Sequence, residues 1–232
     1  MEPTEATRRA LDALQPEGIS VEADLRRMAE AAEQIVPEIV GMSLADLQGG
    51  LSFTLVATDS DVATLDAMQY LDGGPCVTGA HEAHPVGVNS SDLLTEERWL
   101  MFARATGVAG VASTLTLPLL DSGKIVGSVN LYASVADAFD GHHDELANAL
   151  GGSAAGAVRN ADLSFDTRLE SEKAVTKIED QNTVNIALGI IAARQQVDIA
   201  TAAERLREAA ARAGVPVIVA ARTLRDAFDR SD

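Results

Sequence analysis

The feature that most restricts the fold is a change of character near Asp140. Just before it stands STLTLPLLDSGKIVGSVNLYAS, the clearest β pattern in the chain. After it, the stretch from His143 to Gln196 contains neither a proline nor a strand signal. The first part must therefore hold an antiparallel hairpin and the last part must be helical, which makes the chain α+β. TLTLPLL and KIVGSVNLYA flank Asp121-Ser122-Gly123, a turn in which Gly123 can take a positive φ. Pro118 has no amide to donate and belongs at an edge or an irregular position.

Upstream, apolar residues at Ile19, Val21, Leu25, Met28, Ala31, Ile35 and Val36 predict an amphipathic helix ending near Pro37. LSFTLVAT, after the Gly49-Gly50 turn, reads as a strand, and DVATLDAMQY as a short helix that Gly73-Gly74-Pro75 breaks off. A helix around Glu96 to Thr106 is predicted, with Thr95 as its N-cap and Gly107 at its end. Downstream, the proline-free stretch predicts a long helix, interrupted near Ser164 to Thr167. Gly151, Gly152 and Gly156 would there allow close packing against a neighbour. Its apolar side is largely alanine, and a helix this long with such a stripe predicts a homodimer through a coiled coil around 163–180. Asp198 caps the next helix, Gly214 ends it, and Pro216 opens the last, so three helices in tandem form a small bundle.

Charge divides the chain in the same way. The formal net charge is -17, and residues 1–169 carry nine basic against 25 acidic residues. Residues 181–228 reverse the balance, with six arginines against four acids. An acidic body repels nucleic acid and anionic lipid, so the tail is the one segment where a polyanion can be met without large repulsion. Arg205 and Arg212 are seven apart and fall on one helix face, opposite a stripe of Ala202, Leu206, Ala209 and Ala213. Arg207 lies beside the stripe, Arg194 ends the preceding helix, and Arg222 and Arg225 sit on the last. The plain reading is a solvated face in which Glu204 and Glu208 pair with arginines at helical spacing. The sharper reading notes that every basic residue of 181–228 is arginine, whose guanidinium fork suits phosphate.

The run LDGGPCVTGAHE, then DLLTEERWLMFARATGVAGVAST, then LPLLDSGKIVGSVNLYA resembles a GAF domain, in the subtype of actinobacterial GAF–ANTAR regulators. The tail is similar to an ANTAR domain, an RNA-binding module of transcription antiterminators. Ala187-x-Gly189, the pair Ile190 and Ile191, Asp198 at the turn, Leu206-Arg207 before Ala209-Ala210, and Ala220 carry that likeness. Leu188 and Gln181 stand where the module usually carries basic residues. The resemblance implies a polar N-terminal extension (1–20), a GAF-like α/β/α sandwich with an antiparallel sheet (21–162), a helical linker (163–180) and a three-helix ANTAR-like unit (172–229). It further implies a cytoplasmic homodimer that binds structured, hairpin RNA through Arg194, Arg205, Arg207, Arg212 and Arg222 and controls transcription termination. A small-molecule effector would sit in the GAF pocket, lined by Gly74, Cys76, Trp99 and Asn130. The rival is a protein-interaction or small-molecule-binding scaffold whose tail does not bind RNA.

Enzymatic chemistry is not expected. No Walker loop, nucleophile elbow or dinucleotide glycine fingerprint is present. Cys76 is the single cysteine, which excludes an intrachain disulfide and a multi-cysteine zinc site and predicts a small buried hydrophobe. His81, Glu82 and His84 are interrupted by Pro85 and predict no metal centre, and His142-His143 marks a helix start. No cofactor is implied. No run is apolar enough to span a membrane, and the polar N-terminus is unlike a signal peptide.

Overall fold

The computed structural model describes residues 21–48, 50–82, 86–89, 99–160 and 178–229. The expected N-terminal extension, most of the 163–180 linker, the Thr95 cap and the side chains of the His81–His84 cluster lie outside these residues. Helix α1 (Val21–Ile35) buries Leu25 and Met28 of the stripe read from the sequence, with Val36 just beyond it, and adds Ala29 and Ala32, whereas Ala31 and Ile35 are only partly buried. Strands β1 (Ile39–Gln48) and β2 (Leu51–Ala57) follow, then α2 (Ser60–Asp72), α3 (Pro75–Glu82) and the short strand β3 (Val86–Asn89). Helix α4 (Leu100–Val108) leads to β4 (Ser113–Asp121) and β5 (Lys124–Ala133), and α5 (His143–Asn160) completes this part.

The five strands form one sheet in the order β2-β1-β5-β4-β3, with every neighbouring pair antiparallel. The hairpin is as predicted: Asp121 pairs with Lys124, and Ser122 and Gly123 take φ values of 51° and 78°, the two positive values a two-residue turn requires. Pro118 sits in β4 opposite Ser128, beyond the stretch Ser113–Thr116 that β3 covers, so its missing amide interrupts no ladder on that side. Gly127 is required: a Cβ there would stand 2.1 Å from the Ala45 carbonyl oxygen, beside the bulge between Leu44 and Ala45.

Strand β1, central to the sheet, is not anticipated from the sequence. Eight of its ten residues are at least partly shielded on both faces, so the two-residue alternation that marks a half-exposed strand is lost in IVGMSLADLQ. Helix α4 runs through Gly107, and the positive φ that follows it belongs to Gly110 (72°). At Gly151 open space surrounds the place of a Cβ, so this glycine is not needed for close packing; the surroundings of Gly152 and Gly156 lie outside the described residues. His143 opens α5, as expected.

The sheet separates two cores. On one face Met42, Leu44, Leu55, Leu115, Leu117, Val129 and Leu131 pack against α1 and α5. On the other lie α2, α3 and α4, and beyond them the C-terminal helices α6 (Ile178–Gln195), α7 (Ile199–Ala213) and α8 (Val217–Asp229). Asp198 accepts from the Thr201 amide at 2.7 Å and Gly214 closes α7 in the left-handed region, both as read from the sequence. These three helices share a continuous core with the preceding part: Ala187, Ile191, Leu206, Ala213 and Leu224 belong to the same cluster as Leu65, Met68, Phe102 and Ala105. The tail is thus docked onto the helical side of the sheet.

Candidate functional site

The alternation of β4 and β5 makes one sheet face unusual. In S-V-N-L-Y, Val129 and Leu131 point to the apolar core, while Ser128, Asn130 and Tyr132 point the other way. Thr116 and Ser43 are Asn130's partners in register on the two neighbouring strands. Such a strand normally keeps its polar side in water. Here α2 and α3 cover it, and Ser43, Thr54, Thr116, Ser128 and Asn130 are all buried.

Buried polar groups must be satisfied, and these are joined into one network. Its centre is Asp66, whose side chain projects from α2. The Tyr132 hydroxyl donates to Asp66 Oδ1 at 2.5 Å, Asn130 Nδ2 donates to the same oxygen at 3.3 Å, and Thr54 Oγ1 donates to Oδ2 at 2.8 Å. Asn130 also donates to Ser43 Oγ at 3.1 Å and accepts from Thr116 Oγ1 at 3.1 Å. Gln69, one turn on, donates to the Tyr132 oxygen at 2.9 Å and accepts from the Cys76 amide at 2.7 Å. Burial raises the Asp66 carboxyl above its ordinary value, against the opposing effect of the hydrogen bonds from Tyr132, Ser43, Thr54 and Asn130. Burial, reinforced by the charge of Asp66, pushes Tyr70 and Tyr132 upward as well.

Cys76 is fully buried, with its Sγ 3.6 Å from Ser128 Oγ. Burial, then the nearby Asp66 carboxylate, raises its thiol to about 12. A thiol so protonated is neither a nucleophile nor a metal ligand at neutral pH, which agrees with the reading of Cys76 as a buried hydrophobe. Among the described residues no group of three or more His, Cys, Asp or Glu side chains could hold a metal ion.

Of the expected pocket residues, Cys76 and Asn130 therefore meet in this network. Gly74 packs against Gln69, where an added Cβ would come within 2.6 Å of Gln69 Oε1. Trp99 lies apart from them, over Gly73, at the edge of the shared core. The residues that the sequence reading missed are Asp66, Tyr132, Gln69 and Thr54. The signal was an aspartate in the apolar run of DVATLDAMQY and the alternating polar side of the hairpin.

The arginines divide differently from the sequence expectation. Arg194, Arg205, Arg207 and Arg222 are exposed. Arg212, expected on an exposed face with Arg205, is instead only 7% accessible. Helix α7 is contacted on two sides, by α6 and α8 and by α2 and β2, so the face opposite its alanine stripe is also covered near its C-terminus. Arg212 Nε donates to the Ser52 carbonyl oxygen at 2.8 Å, and its guanidinium lies 4.3 Å from the centre of the Tyr70 ring and 5.8 Å from that of Phe53. Tyr70 shares a 2.8 Å hydrogen bond with Thr54 Oγ1, so Arg212 is one residue removed from the Asp66 network. Two further contacts join the tail to the sheet-bearing part. Gln195 donates to the Leu71 carbonyl at 2.7 Å, and the Arg104 guanidinium stands 4.3 Å over the Phe228 ring. Arg225 is held within the tail by Asp226 and Thr183.

A five-stranded antiparallel sheet with helices on both faces and a buried polar network on one of them defines an α+β sandwich domain. The family model for the GAF domain matches residues 20–158, and the chain belongs to that family of signal-sensing domains. No curated protein matches the chain. Among solved structures, the chain is similar to a domain assigned to a two-component sensor histidine kinase from Sinorhizobium meliloti 1021, at 14% identity and a TM-score of 0.47, over 65% of this chain and 99% of that one. A type II free methionine-R-sulfoxide reductase from Thermoplasma acidophilum is similar at 12% identity and a TM-score of 0.42, over 67% of this chain and 96% of that one. SdiA in complex with octanoyl-rac-glycerol is similar at 13% identity and a TM-score of 0.47, over 98% and 97% of the two chains. No helix among the described residues is long and apolar enough to cross a membrane.

Proposed function

We propose that this protein is a signal-responsive regulator. Its GAF domain receives a small-molecule signal, and its C-terminal helices bind structured RNA to control transcription termination. The observation that carries this reading is the distribution of arginine. In a chain of net charge -17, four arginines of α6–α8 stand exposed, while a fifth, Arg212, anchors the same helices on the sensory domain. Exposed guanidinium groups gain affinity for phosphate by counterion release, and hairpins are read by shape and by unpaired loop bases. Four contacts are few for a specific complex. The proposal therefore includes a homodimer, which doubles them.

Charge reversal at Arg205 and Arg207 is expected to abolish hairpin binding in a filter assay while leaving the fold and the oligomeric state intact; unchanged affinity refutes the arginine face. Arg207→Glu alone should lower affinity in the same direction. The alternative is an interaction scaffold whose docked tail does not bind RNA. It is favoured by the burial of Arg212 and by leucine at position 188. Crosslinking in the native cell followed by sequencing separates the two, since the scaffold predicts no enriched hairpins.

A further inference from the structure

The buried network around Asp66 and the anchor of the tail meet at one side chain. Asp66, Gln69 and Tyr70 are spaced i, i+3 and i+4 on α2, so the three share a helix face. Asp66 and Gln69 serve the network, and Tyr70 spans from it to α7. The Tyr70 hydroxyl is 2.8 Å from Thr54 Oγ1, which in turn donates to Asp66 Oδ2 at 2.8 Å. The Tyr70 ring carries the Arg212 guanidinium 4.3 Å from its centre. The edge strand β2 repeats the connection: Thr54 reaches Asp66, and the Ser52 carbonyl on the same strand takes the bond from Arg212 Nε at 2.8 Å. We propose that Tyr70 is a joint: its hydroxyl reads the state of the Asp66 network, its ring holds Arg212, and a change at Asp66 thereby alters how firmly α7 is docked.

Proton direction makes this link specific. A threonine hydroxyl has a single proton to give. Thr54 gives it to the Asp66 carboxylate, so the bond between Thr54 and Tyr70 is donated by the phenol. The bonds from Tyr132 and Asn130 end on Asp66 Oδ1, whereas Oδ2 faces Thr54. When a donor stands in the place of Oδ2, whether an acid proton or an amide, Thr54 must turn its own proton toward Tyr70. The phenol proton then loses its acceptor. The phenol is desolvated, and a desolvated donor without an acceptor is unfavourable, which displaces the ring that supports Arg212. Arg212 itself stays buried and bonded to Ser52; only the strength of its hold changes. The element that responds is the docked tail, which opens locally when its anchor weakens. The other ties between tail and body, Gln195 to Leu71 and Arg104 over Phe228, are made by residues outside the network.

The test follows amide hydrogen exchange of the full chain by mass spectrometry and compares α7 with α5, which packs on the opposite face of the sheet. Asp66→Asn sets its amide NH₂ opposite Thr54, because the Oδ1 side already receives Tyr132 and Asn130 as donors. It should speed exchange of α7 relative to α5 by about five- to tenfold, the scale of one buried hydrogen bond lost. Tyr70→Phe keeps the ring under Arg212 and removes the phenol proton. In that background Asp66→Asn should change the ratio of α7 to α5 exchange by no more than about twofold. Should Asp66→Asn not fold, Thr54→Val keeps the side-chain shape, cuts the chain at its middle and makes the same comparison with the same expected outcome. A merely structural role for Tyr70 would make the two substitutions additive. The proposal is overturned if the ratio is unchanged in the parent background, or if it shifts equally with tyrosine and with phenylalanine at position 70. None of these readouts involves RNA, so the joint stands or falls separately from the RNA-binding reading.

Discussion

Replacing Arg212 with alanine tests whether the tail is truly anchored on the sensory domain. The substitution removes a charge-assisted hydrogen bond to Ser52, of the order of 1.5–3 kcal/mol, and leaves that carbonyl without its donor. It also removes a stacking contact with Tyr70 at 4.3 Å, which for a desolvated cation is of the order of 2 kcal/mol. Because the two effects share one guanidinium, their sum is not strictly additive, and we expect a total loss of roughly 3–5 kcal/mol. In a chain of this length that corresponds to a fall of about 10 °C in Tm. Urea unfolding followed by circular dichroism measures the global effect, and fluorescence of Trp99, the single tryptophan, reports from the edge of the shared core. Arg207→Ala, an exposed control, should stay within about 0.5 kcal/mol of the parent. If Arg212→Ala behaved like that control, the docking described for α7 would be wrong.

Two further outcomes concern the polar chamber. The Asp66 carboxyl is raised in the folded state, so the folded protein holds this proton more tightly than the unfolded chain does. Its contribution to stability is complete below the unfolded value of 3.8 and is lost as pH rises through the raised folded value. Stability of Asp66→Asn, measured by urea unfolding across pH, should therefore improve relative to the parent as pH rises through that window; a flat difference would show that Asp66 does not titrate there. Cys76 is fully buried, and burial together with the nearby Asp66 carboxylate raises its thiol to about 12, so it stays protonated at neutrality. Thiol reagents should label it only after denaturation, and rapid labelling of the native protein would contradict the buried geometry.

Much of this architecture was legible in the sequence because each feature had a local cause. The hairpin was marked by alternation around Asp-Ser-Gly, α1 by its apolar stripe, and α7 by Asp198 and Gly214 at its two ends. Strand β1 was not legible, since burial on both faces erased its period. The chamber escaped for a related reason. Polar alternation in TLTLPLL and GSVNLYA is the ordinary sign of a strand facing water, and only the tertiary fold shows α2 and α3 lying across that side. Arg212 failed in the same way: its spacing from Arg205 gave the correct helix face, but that face turned out to be the docking line. Helical periodicity fixes which residues share a side, and it does not tell whether solvent or a neighbouring element meets that side.

The most direct test of the account is the salt dependence of hairpin binding by the purified chain. Each phosphate contact contributes a slope of about -0.7 to -0.9 in a plot of log K against log salt. The four exposed arginines of one chain can then give a slope no steeper than about -3.6, and two tails acting together up to about -7. The account predicts saturable binding with a slope steeper than about -4. Absence of binding at low salt, or a slope that one chain could supply alone, would contradict it.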